Sequence, residues 1–341
     1  MNVRNLTLAK SSTTKPIKHT SQSAIAAVKE LVPRIAARAR ETEQLRRVHA
    51  DTIRELHEAG LMRLMQPARF GGSELWLDDL MNVVFEIGKV CASTAWVYSN
   101  LASHAWNVGQ FELQTQEDIW AKDPDALVAT GLAFPCGKAK LVAGGFQLSG
   151  RWPFCSGINA SSWMLVGAMT EQEGGPPQRR FFLAHEKDFV VYDNWNTFGL
   201  TGTGSHDIEI KDAFVPAHRS VSAEIFAAAQ QLPGAKLYDN PLFAMPTFAA
   251  FAYVLCATPV AAAKGAVEQL TANLRQRAGT YTGARLAELN SVQIRIAEAS
   301  ACVEFAETVI RRDWQALEEC ARKRDYPSME TKLSWKRNAA F

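Results

Sequence analysis

The feature that most constrains the fold of this chain is a double change in hydrophobic periodicity. From Ser23 to about Gln116, apolar residues recur at helical spacing, as in AIAAVKELVPRIAARARETEQLRRVHADTIRELHEAGLMRLM. Near Asp123 this pattern gives way to short segments rich in β-branched and aromatic residues, which Gly, Pro and Asn separate. Helical spacing returns after Pro216 and Pro233. This pattern therefore predicts helices, then strands, then helices along the chain.

The order of these segments predicts an α+β architecture. We expect an N-terminal helical domain over residues 23–122, a central antiparallel, barrel-like β-domain over 123–222 and a C-terminal helical bundle over 223–341. Residues 1–22 carry basic, Ser and Thr residues without an acid, so we expect a disordered tail. The segment METKLSWKRNAAF stops within a helical pattern without a cap, which predicts that the C-terminal bundle is truncated and incomplete.

Local signals predict turns and one buried helix. Gly60 is expected to end a helix, and EQEGGPPQRR is expected to form a hairpin tip. The segment LMNVVFEIGKVCASTAWVYSNLASHAWNVGQF is apolar nearly all round, so it predicts one continuous helix that is buried on most sides.

The composition is that of an ordinary globular protein. Hydrophobic residues make up 47% and charged residues 21% of 341 residues, which is long enough for two or three domains. A net charge of +2 gives no electrostatic reason to expect nucleic acid or a membrane surface as a partner. No stretch approaches the ~18 uninterrupted apolar residues of a transmembrane helix.

The cysteines and histidines give no metal signature. The six cysteines are scattered, without a CxxC pair or a Cys/His spacing of the zinc type. The sequence also lacks HExxH and carboxylate clusters. We therefore expect no metal, and a reduced, cytoplasmic setting.

Two short motifs suggest other chemistry, which their context argues against. Ser205, His206 and Asp207 are adjacent on a predicted strand, where side chains alternate between faces, so a nucleophilic triad is not expected. The loop GLTGTGS is followed by a strand instead of the helix that a dinucleotide fingerprint needs. A loop whose N–H groups approach a bound cofactor stays open as an alternative.

His104 and the segment GRWPFCSGINASSW are the main candidates for a functional site. His104 lies on the apolar helix near Trp106, and it is either a core histidine bonded to a backbone carbonyl or a functional group. Trp152, Phe154 and Trp163 either pack the β-domain or line a ligand site. Taken alone, both features favour packing.

Longer stretches resemble a known family. LHEAGLMRLMQPARFGGSELWLDDLMNVVFEIGKVCASTAWVYSNLASH resembles the N-terminal domain of the acyl-CoA dehydrogenase superfamily. GLAFPCGKAK, GRWPFCSGINAS and WNTFGLTGTGSHDIEIKDAFVPAHR resemble its β-domain in the same order, and the resemblance extends from about Ser23 to Phe341. The CSG triplet, Trp195 and His104 are similar to the flavin-dependent monooxygenase branch, the oxygenase components of two-component aromatic hydroxylases.

The resemblance implies a flavin site around the CSG triplet. Ser156 takes the position whose hydroxyl approaches flavin N5, while Trp152, Phe154 and Trp195 would supply apolar surface around the ring. A hydroxyl in a dry aromatic environment would slow the decay of the C4a-hydroperoxyflavin that reduced flavin forms with O2. The matched motifs also place these residues beside the cofactor: Phe134, Cys155 and Gly157.

The resemblance also implies substrate and phosphate contacts. His104 matches a position that contacts the substrate hydroxyl, where an imidazole can accept a proton and make the ring carbon more nucleophilic. Trp106 and Trp195 are the other implied substrate contacts. Arg277 resembles an arginine that reaches the flavin phosphate across a subunit interface, and the alternative is a solvated charge at a helix end.

The implied function is a reduced-flavin-dependent monooxygenase that hydroxylates an aromatic or polycyclic small molecule, with O2 as co-substrate. A separate flavin reductase would supply FMN or FAD in reduced form, because the chain has no nicotinamide fingerprint. The full-length protein would be a homotetramer without nucleic-acid or membrane partners.

Two alternative functions stay open. The first is an acyl-CoA dehydrogenase, which needs a carboxylate base. The segment FAAFAYVLCATPVAAAKGAV has no acid before Glu268, and the other usual place for that base lies beyond Phe341. The second alternative is a non-catalytic fragment.

Overall fold

The computed structural model describes residues 16–172, 175–227, 232–280 and 283–340. Within these ranges the helices are α1 (Ser21–Leu45), α2 (Ala50–Glu58), α3 (Leu77–Gly88), α4 (Ala92–Gly109), α5 (Leu113–Trp120), α6 (Ala223–Ala227), α7 (Pro233–Leu237), α8 (Thr247–Gln276), α9 (Asn290–Lys323) and α10 (Met329–Ala340). The strands are β1 (Val128–Gly131), β2 (Gly137–Val142), β3 (Gly145–Cys155), β4 (Trp163–Gln172), β5 (Gly175–His185), β6 (Phe189–Tyr192), β7 (His206–Pro216) and β8 (Ser220–Ser222). The predicted order of helices, strands and helices is confirmed.

The N-terminal helices begin earlier than the sequence predicts. Thr20 caps α1 because its side chain accepts a hydrogen bond from the Ser23 backbone N–H. His19 is fixed as well, since its backbone N–H donates to Ser73 Oγ at 2.9 Å. The predicted disordered tail is therefore too long, because residues 16–22 pack on the helical domain. Residues 1–15 lie outside the described residues.

The predicted continuous helix after the PARFGG loop is two helices. α3 ends at Gly88, Cys91 is extended with φ −153°, and α4 begins at Ala92. A Cβ atom on Gly88 would lie 2.5 Å from the Cβ of Ala261, so the glycine lets α3 approach α8 closely. Nearly every residue of α4 is buried, which confirms the prediction of a buried helix.

The strands form one eight-stranded sheet in the described chain, in the order β6-β7-β3-β2-β4-β5-β8, with β1 beside β4. Most pairs are antiparallel, but β1 and β2 both pair with β4 in parallel. The sheet is therefore mixed instead of wholly antiparallel, because the chain passes through β2 and β3 before β4 returns beside β1. β4 and β5 form the predicted hairpin, whose tip includes residues 173–174, outside the described residues.

Trp152 occupies the interior of the sheet. Its side chain is fully buried, and its indole N–H donates to Gly167 O at 2.7 Å. A Cβ atom on Gly137 would lie 2.3 Å from the Trp152 ring, so glycine is needed where the indole crosses the neighbouring strand. The structure therefore places Trp152 in the packed interior of the sheet, and its contact with a flavin stays a prediction.

We expect Trp152→Phe to lower the free energy of unfolding by about 2 kcal/mol. The smaller ring leaves a cavity, and Gly167 O loses its indole donor. Urea denaturation monitored by circular dichroism measures the change. Trp195→Phe is the matched control, because it makes the same substitution at a half-buried indole and should cost less. Equal losses in both variants would contradict the assignment of Trp152 to the core.

The C-terminal helices pack on the N-terminal domain. α8 contacts α3, α4 and α9, and α10 lies against α8. By length and composition, α8 is the one helix in the described residues that passes as a candidate membrane span. Its packing against α3 and α4 accounts for its apolar composition.

Candidate active site

The candidate site begins at a tight turn after β3. Phe154 adopts a left-handed backbone with φ +59°, and Gly157 does the same with φ +74°. A Cβ atom on Gly157 would lie 3.1 Å from Val97 and Leu101 of α4, so this position favours glycine. A left-handed non-glycine residue costs of order 1 to 3 kcal/mol and is common at functional sites. The turn places Ser156 against α4.

Three hydroxyl groups lie next to each other at this turn. Ser156 Oγ is 2.7 Å from Ser205 Oγ, which is 2.7 Å from Thr203 Oγ1. On the other side, the indole N–H of Trp96 on α4 donates to Ser156 Oγ at 3.0 Å. Ser205 and Thr203 are only 3% and 2% exposed. Ser156 is half-buried, so its hydroxyl sits between a buried polar cluster and an accessible surface.

A carboxylate on α1 fixes the glycine-rich loop that carries Thr203 and Ser205. Gly202 N–H donates to Glu43 Oε2 at 2.9 Å, and Ser93 Oγ donates to the other carboxylate oxygen. The Gly157 N–H is also engaged, since it donates to Thr203 O at 3.1 Å. These two N–H groups are therefore engaged within the protein itself.

Phe154 and Trp195 form the aromatic part of the site. The two rings meet edge to face, with centroids 5.9 Å apart. Trp195 is anchored through its indole N–H, which donates to Leu200 O at 3.1 Å, and through its carbonyl, which accepts from Arg46. Phe154 remains 69% exposed. These residues offer an apolar surface beside the Ser156 turn.

His104 lies on α4, eight residues after Trp96 and about 12 Å farther along the helix axis. Its ring is buried, and Nδ1 is 2.7 Å from Val128 O of β1. A carbonyl only accepts, so Nδ1 carries the proton and Nε2 has a free lone pair. Burial lowers the pKa of His104 to about 4, which keeps the ring neutral at physiological pH.

The Nε2 atom of His104 has no hydrogen-bond partner within the described part of the chain. The sequence allows His104 to be either a core histidine bonded to a backbone carbonyl or a functional group. The structure shows a carbonyl bond at Nδ1 but none at Nε2 among the described residues. A buried acceptor without a donor costs about 1 to 3 kcal/mol. Such a group is explained when a ligand hydroxyl supplies the missing proton.

Aromatic residues of α8 lie next to His104 and next to the sheet. The ring of Phe251 on α8 is parallel to that of His104, with centroids 6.4 Å apart. Phe134 is half-buried against Phe181 at 4.9 Å, and Phe181 lies 6.0 Å from Phe248 of α8. Phe134, which the sequence predicts to contact the cofactor, therefore lies in an aromatic cluster between the sheet and α8.

Two predicted site residues lie in the core. Trp106 is fully buried, and its indole N–H donates to Leu242 O at 2.8 Å, so its substrate contact stays a prediction. Cys155 is fully buried against the carbonyl of Trp152, and burial raises the pKa of its thiol to about 12. Its side chain is an inert packing group.

Arg277 follows the end of α8 and is exposed. Its guanidinium makes no ion pair with any residue that the structure describes. Its predicted contact with a flavin phosphate stays a prediction.

Four residues of the site were missed by sequence reasoning. Trp96, Thr203, Ser205 and Glu43 have ordinary roles in their own segments and meet only in the fold. The available signal was the group of Thr and Ser residues in GLTGTGS, together with Ser156 in the CSG triplet.

The arrangement fits a flavin and a hydroxyl-bearing substrate. Ser156 offers a hydroxyl at the edge of an apolar surface formed by Phe154 and Trp195, which suits a polar atom in a flat ring system. His104 offers a neutral acceptor in an aromatic setting. No group of three or more His, Cys, Asp or Glu side chains among the described residues could hold a metal.

Comparisons with known proteins show the family of the chain. Residues 19–117 match the family model of the acyl-CoA dehydrogenase N-terminal domain, and residues 253–341 match that of the C-terminal domain. The oxygenase subunit HsaA of a flavin-dependent monooxygenase from Rhodococcus jostii is 34% identical over 279 residues, which cover 81% of this chain and 72% of that protein.

Two further relatives are similar over most of their length. The oxygenase component of p-hydroxyphenylacetate 3-hydroxylase from Acinetobacter baumannii is 31% identical over 92% of this chain and 74% of its own. The crystal structure of 3-HSA hydroxylase from Rhodococcus sp. RHA1 has a TM-score of 0.86 at 29% identity, covering 93% of this chain and 81% of that chain.

The fold is that of an acyl-CoA dehydrogenase-type flavoprotein. Within this superfamily, the chain belongs to the oxygenase components of flavin-dependent monooxygenases. It is an oxidoreductase whose cofactor is reduced flavin and whose co-substrate is O2. The resemblance inferred from the sequence is confirmed.

Proposed function

We propose that this chain hydroxylates a phenolic aromatic compound at a site formed by His104 and Ser156, with reduced flavin delivered by a separate reductase. The observation that carries the proposal is the buried, unpaired Nε2 of His104. The relatives' names support the substrate class, because p-hydroxyphenylacetate carries a phenolic hydroxyl group.

His104 would bind the substrate hydroxyl through Nε2. The Nδ1–H bond to Val128 O fixes the tautomer and the ring orientation. Accepting a hydrogen bond from the phenol increases electron density on the ring, which favours attack by the ring carbon on an electrophilic oxygen. Because burial disfavours a lone imidazolium, full proton transfer would end in a phenolate–imidazolium pair whose charges stabilise each other.

Ser156, Phe154 and Trp195 would hold the flavin ring. Reduced flavin supplies the electrons that activate O2. Ser156 Oγ would bind the N5 position, and the Phe154 and Trp195 rings would exclude water from one face. Arg277 would contact the flavin phosphate from a neighbouring subunit.

The exposed apolar residues of the C-terminal helices support a homotetramer. Leu270 on α8 and Ile294 and Phe305 on α9 are exposed large apolar side chains. Exposed apolar patches on a soluble protein commonly mark interfaces. A tetramer that covers these helices, located in the cytoplasm, is part of the same proposal.

The function is tested by supplying wild-type protein with enzymatically reduced FMN or FAD, O2 and a panel of phenols. We expect a hydroxylated product whose oxygen derives from 18O2, with H2O2 as the minor product. In a parallel assay, the oxidised protein–flavin complex is mixed anaerobically with acyl-CoA substrates. Bleaching by acyl-CoA without phenol hydroxylation would support the dehydrogenase alternative, and loss of flavin on desalting without turnover would support the non-catalytic one.

We expect Ser156→Ala to raise the ratio of H2O2 to hydroxylated product about tenfold. The variant removes the hydroxyl at the flavin N5 position, so the ring loses one hydrogen bond and the site admits water more easily. Peroxide and product are quantified in single-turnover reactions. Ser149→Ala is the control, because Ser149 lies earlier on β3 and bonds to Asp212 instead of Ser205, so this variant should couple like wild type. Unchanged coupling in Ser156→Ala would remove Ser156 from the site.

A further inference from the structure

The hydroxyl cluster at the site has a fixed direction. Thr203 Oγ1 is 2.8 Å from Leu200 O, and a carbonyl only accepts, so Thr203 donates its one proton there. Ser205, which is 2.7 Å from Thr203 Oγ1, must then donate to Thr203. Ser156, 2.7 Å from Ser205 Oγ, must donate to Ser205 in turn. Each hydroxyl has a single proton, so the first bond sets the rest.

This direction leaves Ser156 without a proton for a ligand. Its hydroxyl proton is directed to Ser205, and the donor-only indole N–H of Trp96 occupies one of its two lone pairs. The remaining lone pair is the only hydrogen-bonding capacity that Ser156 can offer. Ser156 therefore presents an acceptor.

We propose that Thr203 and Ser205 are positioning residues that orient the Ser156 hydroxyl as an acceptor, so that the site favours reduced over oxidised flavin. This inference rests on the proposed contact between Ser156 and flavin N5. N5 carries a hydrogen in reduced flavin and a lone pair in oxidised flavin. An acceptor at Ser156 matches the reduced N5–H and opposes the lone pair of the oxidised ring.

The cluster resists reversal because it is buried and anchored. For Ser156 to donate to oxidised N5, Ser205 would lose the proton that it receives from Ser156. Ser205 and Thr203 are almost fully buried, so water cannot replace the lost bond easily. Glu43 holds the loop through the Gly202 N–H, which prevents the loop from moving to a new set of partners.

The test measures dissociation constants for reduced and oxidised FMN by anaerobic titration. We expect Thr203→Val to lower the ratio of the oxidised to the reduced dissociation constant about tenfold. Valine cannot accept from Ser205, so the protons of Ser205 and Ser156 become free to turn toward oxidised N5. The midpoint potential of bound FMN should become about 30 mV more negative, the two-electron equivalent of tenfold. Thr203→Ser keeps the hydroxyl and should retain the wild-type ratio.

Two more variants separate failure of this inference from failure of the proposed function. Ser205→Ala removes the acceptor for the Ser156 proton, so it should also lower the ratio of the oxidised to the reduced dissociation constant. If Thr203→Val does not fold, Ser205→Ala tests the orienting role in its place. Wild-type ratios in both variants, together with a lowered ratio in Ser156→Ala, would overturn the orienting role while Ser156 keeps its place at N5. A wild-type ratio in Ser156→Ala would remove Ser156 from the flavin site, and this inference with it.

Discussion

His104→Asn is expected to lower the rate of product formation about 100-fold or more while reduced-flavin binding stays near wild type. Asparagine can still donate to Val128 O, so the anchor to β1 is kept. What is lost is Nε2, the buried acceptor that we assign to the substrate hydroxyl. General-base assistance is typically worth 10²- to 10⁴-fold, and this variant removes it.

The experiment for His104→Asn follows product and H2O2 in the same single-turnover reaction. Oxygen consumption should continue, with H2O2 replacing product, because flavin and O2 do not depend on Nε2. His185→Asn is the matched control, since His185 lies at the end of β5 and its Nδ1 accepts from the Lys187 backbone N–H, a bond that asparagine can replace. Normal product formation in His104→Asn would leave His104 as a core residue.

The fold was predictable because its signals are local. Helical and strand periodicities each depend on a few neighbouring residues, and the segregation of helices from strands follows from their order. The break between α3 and α4 was missed because the whole segment is apolar, so its pattern carries no information about where a helix stops. Gly88 is the single local clue, and its reason is the approach of Ala261 from α8, far along the chain.

The site was predictable only in part, as Trp152 and Phe154 show. The resemblance implied that both rings lie beside the flavin, and residues two apart on a regular strand do share a face. The structure has a register shift between Trp152 and Cys155, and Phe154 takes a left-handed backbone there. The result is one fully buried ring and one that is 69% exposed. A bulge of this kind depends on the partner strand, which sequence alone does not give.

Helix geometry also separates Trp106 from His104. Residues two apart on a helix lie about 200° apart around its axis, so they do not share a face. His104 faces β1, and Trp106 bonds to Leu242 O. The Ser156 cluster was missed for a different reason: Trp96 and Ser205 lie 60 and 49 residues from Ser156 in sequence. Such contacts exist only after the chain has folded.

The buried imidazole of His104 also predicts an acid-dependent loss of stability. Its pKa is about 4 in the fold, against an ordinary value of 6.5, because burial disfavours the charged ring. Between these values the unfolded chain binds more protons than the folded protein, so the stabilising contribution is complete above pH 6.5 and is lost as pH falls toward 4. We expect His104 to account for a loss of about 2 to 3 kcal/mol between pH 7.5 and 4.5.

Other groups titrate in the same range, so the contribution of His104 must be isolated by difference. Burial raises the pKa of Glu318 to about 7, which acts in the opposite direction: that contribution is present at low pH and is lost as pH rises from 4.5 to 7. Urea denaturation of wild type and His104→Asn at pH 7.5 and 4.5 gives two pH-dependent changes whose difference belongs to His104 alone. We expect the variant to be less stable at pH 7.5 but to lose about 2 to 3 kcal/mol less on acidification. Identical pH dependence in both proteins would show that water or another proton acceptor reaches the imidazole in the fold. The assignment of Nε2 as a desolvated acceptor for the substrate hydroxyl would then be wrong.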